Sequence, residues 1–127
     1  MQEQSKQFSV LICEDILMNF FVLKQLFATQ FPELTVVHGV DGLVGLELAK
    51  QQSFDLVITD IEMPNMDGWE LIDQLIASGY NRDHIAVISA HDNPELYTNA
   101  HRYGISKVYL KPITPDVIKT LANIIYQ

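Results

Sequence analysis

The chain has little cysteine, few basic residues and no long apolar stretch. Its one cysteine, Cys13, excludes a disulfide framework and indicates a reducing, cytoplasmic compartment. Eight basic residues stand against sixteen acidic ones, giving a formal net charge of −8 at pH 7. Such a surface repels phosphate backbones, so we expect no direct nucleic-acid binding. No apolar run approaches the roughly 18 residues of a membrane span, so no membrane insertion is expected.

Strand and helix patterns alternate strictly along these 127 residues. Short apolar runs predict strands at residues 8–13, 34–38, 55–59, 85–89 and 107–110. Helical spacing of apolar residues predicts helices at residues 17–30, 41–50, 68–78, 93–103 and 114–126. The fourth of these helices begins with Asn93 as a cap and Pro94 at its first position, and Gly104 follows its end.

Five β–α units predict an α/β fold, a doubly wound five-stranded parallel sheet of strand order 2-1-3-4-5 covered by five helices, as in flavodoxin-like proteins. We expect one domain over residues 1–127, with an ordered core of about 8–126, because the chain is too short for two domains. A β/α barrel needs eight units and is also excluded by the length of the chain. The helix residues predicted to face the core are Leu23, Leu26, Phe27, Leu43, Leu46, Leu48, Ala49, Leu71, Ile72 and Leu75.

Polar residues interrupt this plan where strands end. Glu14 and Asp15 follow the first strand, Asp60 the third and Lys111 the fifth, while Ser89 ends the fourth. Parallel strands bring their carboxyl ends to one edge of the sheet, with neighbours about 4.8 Å apart. Lys111 starts roughly 10 Å from Asp60, a gap that only a long side chain can bridge. We therefore expect these residues to surround Asp60.

Such a group of carboxylates needs a cation. Two unit charges about 5 Å apart repel by roughly 3 kcal/mol at an effective dielectric constant of 20. Oxygen-only ligands favour a hard ion, and few carboxylates with room for water and phosphate favour Mg²⁺ over Ca²⁺. The histidines, at positions 38, 84, 91 and 101, lie in different predicted elements and predict no transition-metal site.

A carboxylate beside Mg²⁺, with a hydroxyl and an ammonium group opposite, is suited to accept a phosphoryl group. Asp60 would attack in line, Ser89 would donate a hydrogen bond, and Lys111 would neutralise the phosphoryl oxygens. An isolated aspartate after a strand is more often a turn or capping residue. Asp41 and Asp67 have no such companions and are interpreted as cap and turn.

Four motifs together resemble a known family. These are Glu14-Asp15, the segment D-I-E-M-P-N-M-D-G at 60–68, the run V-I-S-A ending at Ser89-Ala90, and Y-L-K-P from Tyr109 to Pro112. In this order and each at a strand end, they resemble a two-component response-regulator receiver domain over essentially the whole chain. Asn19 and the M-P-x-M-D-G run are similar to receivers of hybrid sensor kinases.

The resemblance implies that Asp60 is the phosphoacceptor for a phosphohistidine on a sensor histidine kinase or a histidine phosphotransfer protein. It also implies Mg²⁺ ligation by Asp60, by Asp15 directly, by Glu14 through water and by the Glu62 backbone carbonyl. Glu14 stands where Asp is commoner, and the Glu62 side chain would overhang the entrance. The domain would be a signalling phosphoacceptor rather than an enzyme, catalysing only its own phosphorylation and dephosphorylation.

The resemblance further implies a switch, in which Ser89 moves toward the phosphoryl group and Tyr109 turns inward. Lys111-Pro112 would carry a cis peptide bond. The downstream target would bind the face formed by the fourth helix, fifth strand and fifth helix. That face would carry Tyr97, His101, Tyr103 and Tyr109.

Leu17, Met18 and Phe20 cannot all point inward, so we predict that they dock a kinase or phosphotransfer helix. Two alternatives stay open. A magnesium-dependent phosphatase of the haloacid-dehalogenase type would carry a second Asp where this chain has Glu62. A binding module that has lost phosphorylation would lack one of the site residues, all of which are present. Whether the chain stands alone or belongs to a longer protein is also open.

Overall fold

The computed structural model describes residues 7–126, and one parallel sheet forms its centre. The five strands are β1 (Ser9–Cys13), β2 (Thr35–Gly39), β3 (Leu56–Asp60), β4 (Ile85–Ser89) and β5 (Lys107–Leu110). They lie in the order β2-β1-β3-β4-β5, which confirms the predicted topology. The predicted domain of 1–127 includes residues 1–6 and 127, which lie outside the described residues.

Five helices cover the two faces of the sheet. They are α1 (Leu17–Gln30), α2 (Gly42–Gln51), α3 (Gly68–Ala77), α4 (Pro94–Tyr103) and α5 (Pro115–Ile125). The helices α1 and α5 pack on one face, and α2, α3 and α4 pack on the other. A 3₁₀ turn at Arg82–His84, which the sequence patterns did not predict, precedes β4. Within residues 7–126, no helix combines the length and apolar character that a membrane crossing requires.

The central strands are buried on both faces because helices cover both. Every residue of β3 and of β4 is buried, and their side chains alternate between the two cores. Strands buried in this way read as continuous apolar runs, which is why their sequences show no polar alternation. The polar exceptions, Thr59, Asp60 and Ser89, lie at the carboxyl ends. The sheet thus holds these ends rigidly at one edge.

Side chains cap four of the described helices; the caps at Asp41, Asn93 and Thr114 were predicted, whereas Asp67 was interpreted only as a turn residue. The side chains of Asp41, Asp67, Asn93 and Thr114 each accept a hydrogen bond from the backbone N–H three residues later. Each cap satisfies a donor that the first turn leaves without a helical partner. Gly104 ends α4 at φ 70°, a left-handed conformation that glycine adopts without steric cost.

Two predictions about local structure were wrong. Leu43 was expected to face the core but is 46% exposed. The inward face of α2 instead carries Gly42, Gly45 and Leu46, because the two glycines let the helix approach Met66 and Cys13 closely. Leu43 follows Gly42 by one residue, about 100° around the helix, and so points to solvent. In addition, β3 runs one residue further than predicted, so Asp60 is its last residue and not the first of the loop.

Candidate functional site: an acidic cluster around Asp60

A lysine and two buried carboxylates meet at the carboxyl edge of the sheet. Lys111 Nζ lies 2.7 Å from Asp60 Oδ2, and 3.2 and 3.3 Å from the two carboxylate oxygens of Glu14. Lys111 leaves the end of β5 and passes β4 to reach Asp60 on the central strand, as its length predicts. The lysine therefore bridges two carboxylates that the sheet topology places side by side.

Asp60 is held from several directions. Its Oδ1 accepts a hydrogen bond of 2.7 Å from the Ile61 backbone N–H, and its backbone carbonyl accepts one of 2.7 Å from the Thr59 hydroxyl. Asp60 is 8% exposed as a residue, so little of its surface reaches solvent. Gly68 begins α3 against the Asp60 backbone, where any Cβ would collide with the Asp60 carbonyl oxygen. The close approach explains why this loop ends in Asp-Gly.

Glu14 is fully buried and has partners on both its side chain and its backbone. The Asn19 amide donates a 2.7 Å hydrogen bond to Glu14 Oε1. The Glu14 backbone N–H donates to the Gly39 carbonyl at 3.0 Å, and the Glu14 carbonyl lies 2.7 Å from His38 Nε2. Both backbone contacts come from the end of β2, next to β1 in the sheet.

The protonation of the two ends of this cluster differs. Burial, together with the neighbouring Asp60, raises the pKa of Glu14 to about 7, although Asn19 and Lys111 act in the opposite direction. Burial alone would lower the pKa of Lys111, but the Asp60 and Glu14 carboxylates outweigh it and the pKa is raised. Near neutral pH Lys111 is therefore charged, whereas Glu14 is protonated in part of the molecules.

Three carboxylates of the cluster could hold a metal ion. Glu14, Asp15 and Asp60 each offer an oxygen, and these oxygens all lie within 4.8 Å of one another. Glu14 and Asp60 are buried, whereas Asp15 is exposed at the rim. An all-oxygen donor set suits a hard divalent cation. Lys111 supplies one positive charge for these three acids, so a cation would relieve the remaining repulsion.

A cleft of about 330 Å³ opens above Asp60. Its polar lining residues are Asp15, Asn19, Asp60, Glu62, Ser89, His91 and Lys111. The Ser89 hydroxyl bonds within its own loop, donating to the His91 carbonyl and accepting from the His91 N–H, both at 3.1 Å. The Glu62 side chain is 78% exposed, with its carboxylate 3.8 Å from His91 Nε2. Glu62 and His91 thus face each other across the mouth of the cleft.

Other predicted site features are placed as follows. The Lys111–Pro112 peptide bond is cis, as the resemblance implied. Tyr109 is partly buried and packs against the core beneath α1 and α5. On α4, the Tyr97 hydroxyl donates to Asp92 at 2.9 Å. The Tyr103 ring stacks on Trp69 of α3, with ring centres 5.8 Å apart.

The prediction that Phe20 docks a partner helix is wrong, because Phe20 is buried. Leu17 and Met18 are 55% and 69% exposed, but Phe20 is 5% exposed. Phe20 shares the inward face of α1 with Leu23 and Phe27, at the spacing of three and four residues that helical neighbours have. Its ring stacks on the His38 imidazole, with ring centres 3.7 Å apart.

The sequence patterns assigned no site contact to Asn19 or His38. Asn19 was interpreted only as a family feature, yet its amide contacts Glu14 from the first turn of α1. His38 was counted only among histidines that form no metal site, yet it contacts the Glu14 carbonyl. One signal could have found His38, because a polar residue near the end of the strand beside β1 must lie at the same edge of the sheet.

Comparison with known proteins agrees with this geometry. A family model described as the response regulator receiver domain matches residues 10–123. The probable C4-dicarboxylate response regulator DctR of Priestia megaterium is 38% identical over 115 residues, 90% of this chain and 50% of DctR. The sensor protein EvgS of Escherichia coli K12 is 31% identical over 122 residues, 96% of this chain and 10% of EvgS.

A solved structure matches the fold over nearly the whole chain. It is the N-terminal domain of an uncharacterized protein from Wolinella succinogenes, with a TM-score of 0.83 and 30% sequence identity. The alignment covers 94% of each chain. By contrast, this chain spans about half the length of DctR and about a tenth of EvgS.

Proposed function

Because the chain belongs to the response regulator receiver domain family, we propose that it is the phosphoacceptor domain of a two-component phosphorelay. Asp60 accepts a phosphoryl group from a phosphohistidine of a sensor histidine kinase or a histidine phosphotransfer protein. The observation that supports this most strongly is the contact of 2.7 Å between Lys111 Nζ and Asp60 Oδ2, beside the buried Glu14. Such a cation next to a nucleophilic carboxylate can bind the oxygens of an incoming phosphoryl group.

Each residue of the cluster has its own role in the proposed phosphoryl transfer. An Asp60 oxygen attacks phosphorus as the bond to the donor's imidazole nitrogen breaks; the bonding electron pair returns to that nitrogen, which takes up a proton from water. Lys111 stabilises the phosphoryl oxygens, and Ser89 donates to one of them once its hydroxyl turns from His91. Bound Mg²⁺ would supply further charge neutralisation. It would be held by Asp60, by Asp15 directly, by Glu14 through water and by the Glu62 backbone carbonyl, a donor set that fits this ion.

The response to phosphorylation is a change in protein–protein contacts. Rotation of Ser89 out of its bonds with His91 frees the loop after β4, and Tyr109 turns further inward. These changes alter the face of α4, β5 and α5, where a downstream protein binds. The exposed aromatic ring of Tyr97 lies on α4 at this face.

We further propose that the phosphodonor docks on α1. Leu17 and Met18 are more than half exposed, and Phe21 and Val22 extend the same apolar surface at 51% and 52% exposure. Apolar helix faces of this kind bind partner helices.

We also propose one domain over residues 1–127 and a cytoplasmic location, the latter because Cys13 is a free thiol.

The proposed function can be tested by phosphorylating the protein in vitro. The protein is incubated with Mg²⁺ and acetyl phosphate, and its intact mass is measured. We expect one added phosphoryl group in the wild type and none in Asp60→Asn. Asp67→Asn is the matched control, since asparagine also caps helices, and it should be phosphorylated like the wild type.

Two outcomes would contradict the proposal. They are a wild type without any mass increase and an Asp60→Asn variant that is still modified. Multiple turnover of a small phosphoester would instead support the phosphatase alternative.

A further inference from the structure

The peptide group between Glu14 and Asp15 is fixed from the neighbouring strand. The Glu14 N–H donates to the Gly39 carbonyl at 3.0 Å, and the Glu14 carbonyl lies 2.7 Å from His38 Nε2. That carbonyl belongs to the peptide bond that leads directly into Asp15. The end of β2 therefore holds the peptide groups on both sides of Glu14, the second of which leads into Asp15.

The direction of the imidazole hydrogen bond follows from its partner. A carbonyl oxygen can only accept, so at 2.7 Å His38 Nε2 must carry the hydrogen. Phe20 stacks on the imidazole with an interplanar angle of 7° and fixes the plane in which this N–H points. Phe20 is 5% exposed and anchored in the core beneath α1, so the imidazole rests on a rigid support.

Apart from the contacts of Glu14 with β2, the backbone of the segment has few supports among the described residues, although the Glu14 side chain also contacts Asn19 and Lys111. The β1–β3 ladder extends only to the pair Cys13 and Thr59, one residue before Glu14. The helix α1 begins after Ile16, whose side chain makes no capping hydrogen bond. The segment from Glu14 to Ile16 thus lies between the end of a strand and a helix start without a side-chain cap. His38 compensates from outside the segment.

We infer that His38 is a positioning residue, which orients Glu14 and Asp15 for the cation through its hydrogen bond to the Glu14 carbonyl. The inference rests on the proposed function, since it concerns the same site. Loss of the donor lets the peptide tilt, which changes the spacing of the carboxylate oxygens that now lie within 4.8 Å of one another. Hydrogen-bond partners that orient metal ligands commonly change metal affinity by 10–100-fold.

Two substitutions separate the hydrogen bond from the packing. His38→Phe keeps an aromatic ring against Phe20 but removes the donor. His38→Gln loses the ring but places an amide N–H near the position of imidazole Nε2. Isothermal titration calorimetry with MgCl₂ should show binding about tenfold weaker for His38→Phe. His38→Gln should stay within about threefold of the wild type.

Thermal unfolding in EDTA measures whether either variant has a fold-wide defect. A His38→Phe variant that binds Mg²⁺ like the wild type would overturn the inference. It would also be overturned if His38→Gln lost as much affinity as His38→Phe, because a retained hydrogen-bond donor would then fail to preserve Mg²⁺ binding. In both cases wild-type binding leaves the proposed function intact, whereas a wild type that binds no Mg²⁺ would overturn the proposed function as well.

Discussion

Replacing Glu14 with glutamine should stabilise the metal-free protein at alkaline pH. Burial next to Asp60 raises the pKa of Glu14 from its ordinary 4.5 to about 7. Each pKa unit corresponds to about 1.4 kcal/mol, so ionising Glu14 costs the folded protein roughly 3 kcal/mol more than the unfolded chain. The amide oxygen of glutamine can still accept the bonds from Asn19 and Lys111.

The pH dependence follows from the same difference. Between pH 4.5 and pH 7 the folded protein keeps a proton on Glu14 that the unfolded chain has released. The free energy of unfolding of the wild type therefore falls as the pH rises through this window, and glutamine removes that fall. The stability gained by Glu14→Gln should be under about 1 kcal/mol at pH 5 and roughly 2 kcal/mol larger at pH 8.

Urea denaturation in EDTA at the two pH values measures the effect. Glu47→Gln is the control, since Glu47 is exposed on α2 and its replacement should change stability by less than about 0.5 kcal/mol. Added Mg²⁺ should reduce the advantage of Glu14→Gln, because a cation stabilises the wild type more than a variant with one carboxylate fewer. A Glu14→Gln variant that is no more stable than the wild type at pH 8 would refute the account of this buried acid.

Three further predictions concern buried residues. Burial raises the pKa of the Cys13 thiol to about 12, so a thiol-reactive dye should not label native protein at pH 8 but should label it in concentrated urea. Phe20→Ala should lower the free energy of unfolding by about 4 kcal/mol, whereas the exposed Met18→Ala should change it by less than about 0.5 kcal/mol; equal effects would place Phe20 at the surface. Gly68→Ala should cost about 2 kcal/mol or more in urea denaturation because its methyl group meets the Asp60 carbonyl, and an unchanged midpoint would show that α3 can move away.

Strand order and the meeting of the site residues could be predicted because they depend on topology. Alternating strands and helices allow few arrangements, and a parallel sheet brings its carboxyl ends to one edge. Lys111 therefore contacts Asp60, as predicted, although the two residues are 51 positions apart in the sequence. The helix starts could also be predicted, since each cap is a local pairing of one side chain with a nearby N–H.

It was harder to predict which residues of a helix face the core and which face solvent. Phe20 and Phe21 are neighbours in the first half of α1, where residues 17–23 include one polar residue, Asn19, so the pattern gives no polar face from which to orient these turns. The inward direction of Phe20 depends on contact with the core and His38, which are distant in sequence. Leu43 was misplaced for a related reason, because two glycines and not a leucine make the closest approach of α2.

A crystal structure with Mg²⁺ and beryllofluoride, which stands in for the phosphoryl group, tests the central claim most directly. The account predicts the beryllium bonded to an Asp60 carboxylate oxygen. Lys111 Nζ and the Ser89 hydroxyl should contact fluorine atoms, with the metal beside Asp15. Beryllofluoride bound elsewhere, or bound at Asp60 with Lys111 turned away into solvent, would contradict the assignment of this cluster as a phosphoacceptor site.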